Sequence, residues 1–103
     1  MSYEDKQELY KTEEKVMMWA IERGLHHSDQ FRQIAKLGEE YGELCADACK
    51  GRDPKDSIGD MLVVLTILCM INKTTLDECF SLAYDEIKDR KGKTVDGVFI
   101  KNE

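Results

Sequence analysis

Apolar residues recur along this chain with the three-and-four spacing of helices rather than the alternation of strands. A stripe at that spacing predicts a first helix over about residues 4–23, with Gly24 as its C-terminal stop. The stripe consists of Leu9, Val16, Met17 and Ala20. One face of this helix is therefore expected to pack against the rest of the chain.

A second helix is predicted over about residues 28–50, between a cap at Ser28 or Asp29 and a stop at Gly51. Its expected core face carries Ile34, Leu37, Tyr41, Leu44, Cys45 and Ala48. Another face of the same helix collects Lys36, Glu40, Glu43 and Asp47. The pattern thus predicts a helix that is apolar on one side and rich in acids on another.

A third helix is predicted over about residues 54–71, because Asp53 can cap it and Pro54 suits a first turn. From residue 58 onward it is apolar on all sides, and the exceptions are Gly59, Asp60 and Thr66. Its β-branched residues also fit a strand, but the length and the cap favour a helix. A helix of this kind lies at the centre of a core or in a subunit interface.

A capping box over residues 75–78 begins a fourth predicted helix, which extends to about residue 91. Its apolar stripe is Leu76, Phe80, Ala83 and Ile87. The remaining tail, residues 92–103, is predicted to be extended or to form a small hairpin around Asp96-Gly97. The expected fold is all-α, a single four-helix domain over residues 1–103 with a short extended C-terminal tail.

The amino-acid composition indicates which classes of binding partner such a domain can have. The hydrophobic fraction of 42% and the charged fraction of 35% suit a globular helical protein. A net charge of −6 argues against a broad nucleic-acid interface, although a small phosphate ligand remains compatible if metal ions supply positive charge. The N-terminus is polar, and the apolar run 61–71 is shorter than the roughly 20 residues that cross a bilayer. We therefore expect a cytoplasmic protein without membrane partners.

The four cysteines do not form a recognisable metal or disulfide pattern. None belongs to a Cys-x-x-Cys pair, and none lies near His26 or His27 in the sequence. All four fall within the apolar stripes, namely Cys45, Cys49, Cys69 and Cys79. We expect them to be buried free thiols of a reducing compartment.

A five-residue stretch of the second predicted helix contains three carboxylates, Glu39, Glu40 and Glu43. Like charges three or four residues apart repel one another by a few tenths of a kcal/mol per pair. Taken alone, such a patch is usually a solvated helix face. Asp60 makes a metal site a stronger alternative to a solvated face, because an ionised carboxylate in an apolar helix is costly unless it is paired or binds a metal. Its alternatives are a salt bridge to Lys36 or a position just outside the buried zone.

The short link between the second and third helices predicts that they pack antiparallel. Glu43 and Asp60 lie at similar distances from that link, so their carboxylates can converge. No histidine follows a glutamate at the Glu-x-x-His spacing of a di-iron bundle. Oxygen ligands favour Mg²⁺, with Mn²⁺ as a second option, and Mg²⁺ often bridges protein carboxylates and substrate phosphates.

With these motifs the chain resembles the MazG-like, all-α nucleoside triphosphate pyrophosphohydrolase superfamily, whose members carry Glu-Glu-x-x-Glu on one helix and Glu-x-x-Asp on the next. Residues 36–44, Lys-Leu-Gly-Glu-Glu-Tyr-Gly-Glu-Leu, match the first motif, and Ser57-Ile58-Gly59-Asp60 stands where the second belongs. Residues 83–93 are similar to the basic end of the family's fourth helix. The resemblance covers roughly residue 19 to the C-terminus, and small phage-encoded and prophage-encoded members end in a comparable Gly-Val-Phe tail.

The resemblance implies a Mg²⁺-dependent enzyme that hydrolyses a nucleoside triphosphate to the monophosphate and pyrophosphate, for nucleotide house-cleaning or pool control. It implies metal-ligand roles for Glu40, Glu43 and Asp60, with Glu39 as a further ligand or as the group that orients the attacking water. It also implies substrate-binding roles for Trp19, Lys36, Asp85, Lys88, Arg90, Lys91 and Lys93. Cations near a helix C-terminus are favourable without any ligand, and Trp19 fits a core or interface as well as a base stack.

One departure from the family concerns Ser57, because relatives usually have glutamate at that position. Asp56 shares a helix face with Asp60 and is one candidate to substitute for the missing acid in catalysis. The other candidate is Ser57 itself, holding a metal-bound water. The metal count and the level of activity depend on which of these applies.

An apolar third helix in so small a chain suggests that subunits complete one another's cores. The resemblance implies a homodimer or a homotetramer. Two alternatives remain beside this enzyme, and they make different predictions. A non-catalytic helical dimerisation or adaptor module would bind no divalent metal. A phosphoribosyl-ATP pyrophosphohydrolase-like enzyme would differ only in its substrate, and the sequence does not identify the base or the sugar.

Overall fold

The computed structural model describes the backbone of residues 3–102 and the side chains of residues 11–102. The expected helical architecture is confirmed, with four helices and a small C-terminal hairpin. The helices are α1 (Tyr3–Glu22), α2 (Gln30–Cys49), α3 (Lys55–Ile71) and α4 (Leu76–Ile87). A 3₁₀ turn, Leu25–His27, connects α1 to α2, and the strands are β1 (Gly92–Val95) and β2 (Val98–Lys101).

Local capping chemistry determines where the helices begin. Asp29, and not Ser28, caps α2, and its carboxylate accepts the N–H two residues on at 2.8 Å. Thr75 caps α4 and accepts the N–H three residues on at 3.1 Å. Asp53 accepts an N–H in the same way just before α3, while Pro54 occupies the position that precedes the first helical residue.

Helix α4 is shorter than predicted and ends at Ile87 instead of near residue 91. The N–H of Arg90 closes a turn on the carbonyl of Ile87 at 3.0 Å, and Gly92 already pairs in the hairpin. Strand pairing from Gly92 onward requires the chain to leave the helix first. The two-residue turn is formed by Asp96 and Gly97, whose φ angles of 51° and 80° match the type I′ turn that favours this dipeptide.

Helices α2 and α3 pack antiparallel, as their short link predicted. At one end, the amide of Asn72 donates a hydrogen bond to the side-chain oxygen of Gln30 at 2.7 Å. At the other end, the hydroxyl of Ser57 donates to the carboxylate of Asp47. The first residue of α2 thus meets the end of α3, and the end of α2 meets the start of α3.

The interior of the described chain is small and is dominated by α3. Among residues 11–102, the buried apolar side chains are Ala20, Val64, Ile67 and Cys69. Three of these four belong to α3, which confirms its central position. Thr66 is also buried, and its hydroxyl is satisfied by the carbonyl of Leu62 at 2.8 Å.

The predicted core faces of α2 and α4 are only partly covered, which corrects the sequence-based expectation. On these two faces the half-buried residues are Leu37, Leu44 and Leu76, and on α1 they are Val16 and Met17. The exposed residues of the α2 and α4 faces are Ile34, Tyr41, Cys45, Ala48, Phe80, Ala83 and Ile87. Leu9 lies outside the residues whose side chains are described. An amphipathic pattern identifies the apolar side of a helix but not what covers it, and this chain supplies little to cover these faces.

The expectation of four buried cysteines is wrong for three of them. Cys45, Cys49 and Cys79 are exposed and only Cys69 is buried, while all four are free thiols. The sulfurs of Cys69 and Cys79 lie 3.9 Å apart, between α3 and α4. Burial, followed by the contact with Cys79, raises the pKa of the Cys69 thiol to about 11.

None of the described helices is by itself long and apolar enough to cross a membrane. Helices α3 and α4 reach the required length and apolar composition only when they are taken together, and the chain bends by 96° between them.

Candidate metal centre

Three carboxylates from two helices converge at the middle of the α2–α3 pair. Glu40 and Glu43 lie three residues apart on α2, and Asp60 faces them from α3. One oxygen from each of the three lies within 4.8 Å of the others. The convergence that the antiparallel packing predicted is therefore present, and we call these three residues the acid triad.

Glu40 occupies an unusual environment for a glutamate. Its side chain is only 9% exposed, and its Oε1 pairs with the Nζ of Lys36 at 3.2 Å. Its Oε2 is buried and has no hydrogen-bond partner among the described residues. A buried carboxylate oxygen without a partner is costly, so this atom calls for an explanation.

Lys36 forms ion pairs with two glutamates of its own helix. Its ammonium group also lies 3.4 Å from the carboxylate of Glu39, and the bonds to Glu40 and then Glu39 raise the pKa of Lys36. The alternative in which Lys36 neutralises Asp60 does not apply, because both ion pairs that the structure records for Lys36 go to these glutamates. Asp60 is half-buried, neither fully inside the apolar zone nor clear of it.

The donor set of the acid triad suits a hard divalent cation. Three carboxylates provide oxygen ligands only, which favours Mg²⁺ or Mn²⁺ over zinc or iron. Among the ion pairs recorded for the described residues, the one that reaches the acid triad joins Lys36 to Glu40. The partnerless Oε2 of Glu40 fits a cation ligand, since a bound cation would satisfy it.

The structure places Glu39 and Asp56 outside the acid triad. Glu39 points away from the buried side of α2 and is exposed, with Lys36 as its partner. Asp56 is exposed in the first turn of α3, where a negative charge is favourable beside the helix N-terminus. It lines a surface cavity of ≈ 380 Å³ next to Glu43.

Sequence reasoning missed the contact that Ser57 makes. Ser57 is only 5% exposed, and it donates its hydroxyl proton to Oδ2 of Asp47. The Nε of Arg52 pairs with Oδ1 of the same carboxylate at 3.0 Å. The signal in the sequence was the position of Asp47 on the acidic face of α2, but nothing in the pattern identified its partners.

The residues proposed to bind substrate lie on exposed parts of the molecule. Asp85 pairs with Lys88 at 3.2 Å at the end of α4. Arg90, Lys91 and Lys93 follow between α4 and β1 or on β1 itself, and all are exposed. Within the described side chains, no recorded hydrogen bond or ion pair joins these residues near the end of α4 to the acid triad, whereas Lys36, also proposed to bind substrate, pairs with Glu40.

Trp19 is partly exposed on α1, so it is not a core residue of the single chain. The guanidinium of Arg23 lies 4.5 Å from the centre of its ring and donates to the Trp19 carbonyl at 3.0 Å. The side chain lines a surface cavity of ≈ 400 Å³ together with Met18 and Glu22. A base stack and a subunit interface both remain open for this residue.

Comparison with known proteins gives one similarity and no assigned function. The chain is 44% identical over 71 residues to an uncharacterized 18.2 kDa protein from the rep-hol intergenic region of Haemophilus phage HP1. The match covers 66% of this chain but 42% of the phage protein, so the chain spans less than half of that relative. No protein-family model matches the chain. No solved structure matches it.

Proposed function

We propose that the chain is a Mg²⁺-dependent nucleoside triphosphate pyrophosphohydrolase of the MazG-like type, acting in the cytoplasm on nucleotides that need to be removed or limited. The observation that carries the proposal is the buried Oε2 of Glu40, which has no partner among the described residues and belongs to a converging set of three carboxylates. Solvated helix faces place their acids in water, whereas this glutamate is 9% exposed.

Each acid has a role in the proposed site. Glu40, Glu43 and Asp60 hold the cation, and Lys36 fixes the Glu40 side chain through Oε1 and leaves Oε2 for the cation. When bound, Mg²⁺ supplies polarisation of the phosphoryl oxygens and activation of water. Glu39, which shares its partner Lys36 with Glu40, is assigned to orienting the attacking water.

The exposed cations after α4 are assigned to the triphosphate. Lys88, Arg90, Lys91 and Lys93 follow one another closely at the end of α4 and the start of β1. Charge-assisted hydrogen bonds from such groups suit phosphate oxygens, and the partnership of Asp85 with Lys88 holds one of them in place. Trp19 is kept as a candidate for stacking on the base.

The decisive experiment measures pyrophosphate release from a panel of standard and modified nucleotides, including phosphoribosyl-ATP, with Mg²⁺ and with EDTA. We expect turnover that EDTA abolishes. The isosteric variants Glu43→Gln and Asp60→Asn should lose at least about 100-fold in rate, as for lost groups that stabilise transition-state charge. Glu86→Gln, an exposed acid on α4, is the matched control and should retain full activity.

Circular dichroism of each variant establishes that the fold survives. A nucleotide panel with no turnover at any Mg²⁺ concentration contradicts the enzymatic proposal. A preference for phosphoribosyl-ATP over all nucleoside triphosphates would favour the phosphoribosyl-ATP pyrophosphohydrolase-like alternative. Thermal melting gives an independent readout, because Mg²⁺ and nucleotide together should raise the midpoint if they bind the native state.

We also propose that two copies of the chain associate as a homodimer, the unit from which a tetramer could be built. The chain exposes 8286 Å². This exceeds the roughly 6,000 Å² of a folded monomer of 11.9 kDa by about 2,300 Å². Its radius of gyration is 16.0 Å, against about 13 Å for a compact chain of this length.

The excess surface is of the size that stable interfaces bury, which is about 800 Å² per partner at standard size and more in obligate dimers. The exposed apolar stripe of α4, with Phe80 at 76% exposure, is the assigned contact. The same surface favours the second candidate function, an adaptor module. Sedimentation of the wild type tests the association, and divalent-metal binding by the acid triad separates an enzyme from an adaptor.

A further inference from the structure

Beside the acid triad, one hydrogen bond and one ion pair connect three side chains at the end of α2, in the link and at the start of α3. Asp47 lies at its centre with both carboxylate oxygens engaged. Oδ2 accepts the hydroxyl proton of Ser57, and Oδ1 pairs with Nε of Arg52 at 3.0 Å. We call these three residues the Asp47 clamp.

The Asp47 clamp lies one helical turn from the acid triad on both helices. Asp47 follows Glu43 by four residues on α2, and Ser57 precedes Asp60 by three residues on α3. Residues at these spacings are neighbours on one face of a helix. Glu43, Asp47, Arg52 and Ser57 also line the same cavity of ≈ 380 Å³. The clamp therefore lies beside Glu43 on α2 and beside Asp60 on α3.

Both oxygens of the partly buried Asp47 carboxylate have partners in the clamp. The Asp47 side chain is 16% exposed, and a carboxylate removed from water to this extent requires partners for both oxygens. Ser57 has a single hydroxyl proton, and it is donated to Asp47. Charge-assisted bonds of this kind are stronger than neutral ones, and the bond from Ser57 to Asp47 spans the two helices.

The contact bears on the gap at position 57, where a substitute acid at Asp56 and a metal-bound water on Ser57 both stay predictions. Ser57 spends its only donor on an acid of α2 and does not bond Asp56, which is exposed. The position of Asp56 is explained by helix electrostatics, since a negative charge in the first turn of a helix is favourable. The acid that the structure brings to Ser57 is Asp47, ten residues earlier in the chain.

We propose that Asp47, held by Ser57 and Arg52, is a positioning residue that sets the separation of Glu43 and Asp60 and thereby the affinity of the acid triad for a divalent cation. The inference rests on the cation site of the proposed function. It adds a role for three residues that the acidic motif does not contain, and it concerns binding rather than turnover.

Binding of Mn²⁺ to the full chain, followed through the electron paramagnetic resonance signal of the free ion, tests the proposal without any substrate. Ser57→Ala removes the hydroxyl, Ser57→Thr keeps it, and Arg52→Gln removes the charge. Loss of a group that orients metal ligands typically costs 10–100-fold in affinity, so we expect Ser57→Ala to raise the Mn²⁺ dissociation constant about tenfold. Ser57→Thr should restore binding, and Arg52→Gln should fall between.

Ser81→Ala is the matched control, because this serine is exposed on α4 and should leave Mn²⁺ binding unchanged. Melting of each variant without metal separates positioning from stability. A merely structural role would lower the melting midpoint and leave the dissociation constant of the folded fraction unchanged. If Ser57→Ala does not fold, Arg52→Gln and the isosteric Asp47→Asn carry the test.

The outcomes distinguish this inference from the proposal beneath it. A wild-type chain that binds no Mn²⁺ overturns the cation site, and both proposals fail together. A wild-type chain that binds Mn²⁺, with Ser57→Ala and Arg52→Gln binding equally tightly, overturns the positioning role and leaves the cation site intact. Weakened binding in both variants, with recovery in Ser57→Thr, supports the Asp47 clamp.

Discussion

The α2–α3 pair and the α4–hairpin end of this protein differ in how far their side chains are buried and held by contacts within the chain. The α2–α3 pair has polar side-chain contacts at both ends, Gln30 with Asn72 and Asp47 with Ser57, and buried residues between them. Every side chain of α4 after Leu76 is exposed, and so is every residue of the hairpin. The α2–α3 pair is thus stabilised by contacts within the single chain, whereas the α4–hairpin end exposes apolar side chains to solvent.

The comparison indicates that the acids and the apolar surface serve separate purposes. The acid triad lies in the region whose geometry is fixed within one chain, as a binding site of defined shape requires. The α4–hairpin end contributes little to that geometry and carries the surface that a second copy could cover. The predictions that follow compare equivalent substitutions in the two regions, in order of decreasing effect.

The largest contrast is expected between two isoleucines. Ile67 on α3 is 3% exposed, so Ile67→Ala should lower the free energy of unfolding by about 2–5 kcal/mol. Ile87 on α4 is 54% exposed, and Ile87→Ala at low protein concentration should cost less than about 0.5 kcal/mol. Urea denaturation at micromolar concentration measures both. Equal losses would show that α4 is packed in the single chain.

The next effect concerns association through α4. Phe80→Asp places a charge in the exposed apolar stripe and should raise the dimer dissociation constant by about thirtyfold, corresponding to roughly 2 kcal/mol for an interface hot spot. Sedimentation velocity over a range of concentrations measures the change. Phe31→Asp is the control, since Phe31 is similarly exposed at the start of α2. An unchanged dissociation constant in Phe80→Asp would remove α4 from the interface.

A smaller contrast separates the two helix caps. Asp29→Ala removes the cap of α2 and should cost about 1 kcal/mol of global stability. Thr75→Ala removes the cap of α4, but the carboxylate of Glu13 also accepts the N–H of Leu76 at 2.9 Å and retains one bond there. The effect of Thr75→Ala should appear chiefly as faster amide exchange within α4. A larger global loss for Thr75→Ala than for Asp29→Ala would reverse the comparison.

The smallest effect is expected from the thiol of Cys69, where α3 meets α4. Its folded pKa of about 11 lies above the ordinary 9.0, so the unfolded chain releases this proton first as the pH rises. The contribution of Cys69 to stability is therefore present below pH 9 and decreases between about pH 9 and pH 11. The difference in urea midpoint between wild type and Cys69→Ala should shrink across that window. Cys49→Ala, at an exposed site, should follow the wild type throughout.

Local signals in the sequence were sufficient for the helices and for the meeting of the acids. The caps at Asp29 and Thr75 and the turn at Asp96-Gly97 depend on neighbouring residues only, so they could be predicted. The approach of Glu43 and Asp60 followed from a short link and helical geometry.

Features that depend on the rest of the fold could not be predicted in the same way. The stripe through Phe80 is apolar, but its exposure depends on which elements lie nearby. The burial of Glu40 on an acidic face contradicts the simple expectation of a solvated surface, because its depth is set by packing against α3. The bond between Ser57 and Asp47 joins two side chains ten residues apart, across a link whose path the pattern does not describe.

The shortness of the α2–α3 link has a consequence for the order of folding. Asp60 follows Glu43 by only 17 positions, so bringing the acids together closes a short loop at low entropic cost. Contacts between residues that are close in the chain form early in folding, before more distant elements dock. The approach of the carboxylates is therefore expected among the early contacts of the folding chain, together with the contact between Cys69 and Cys79, which lie ten positions apart.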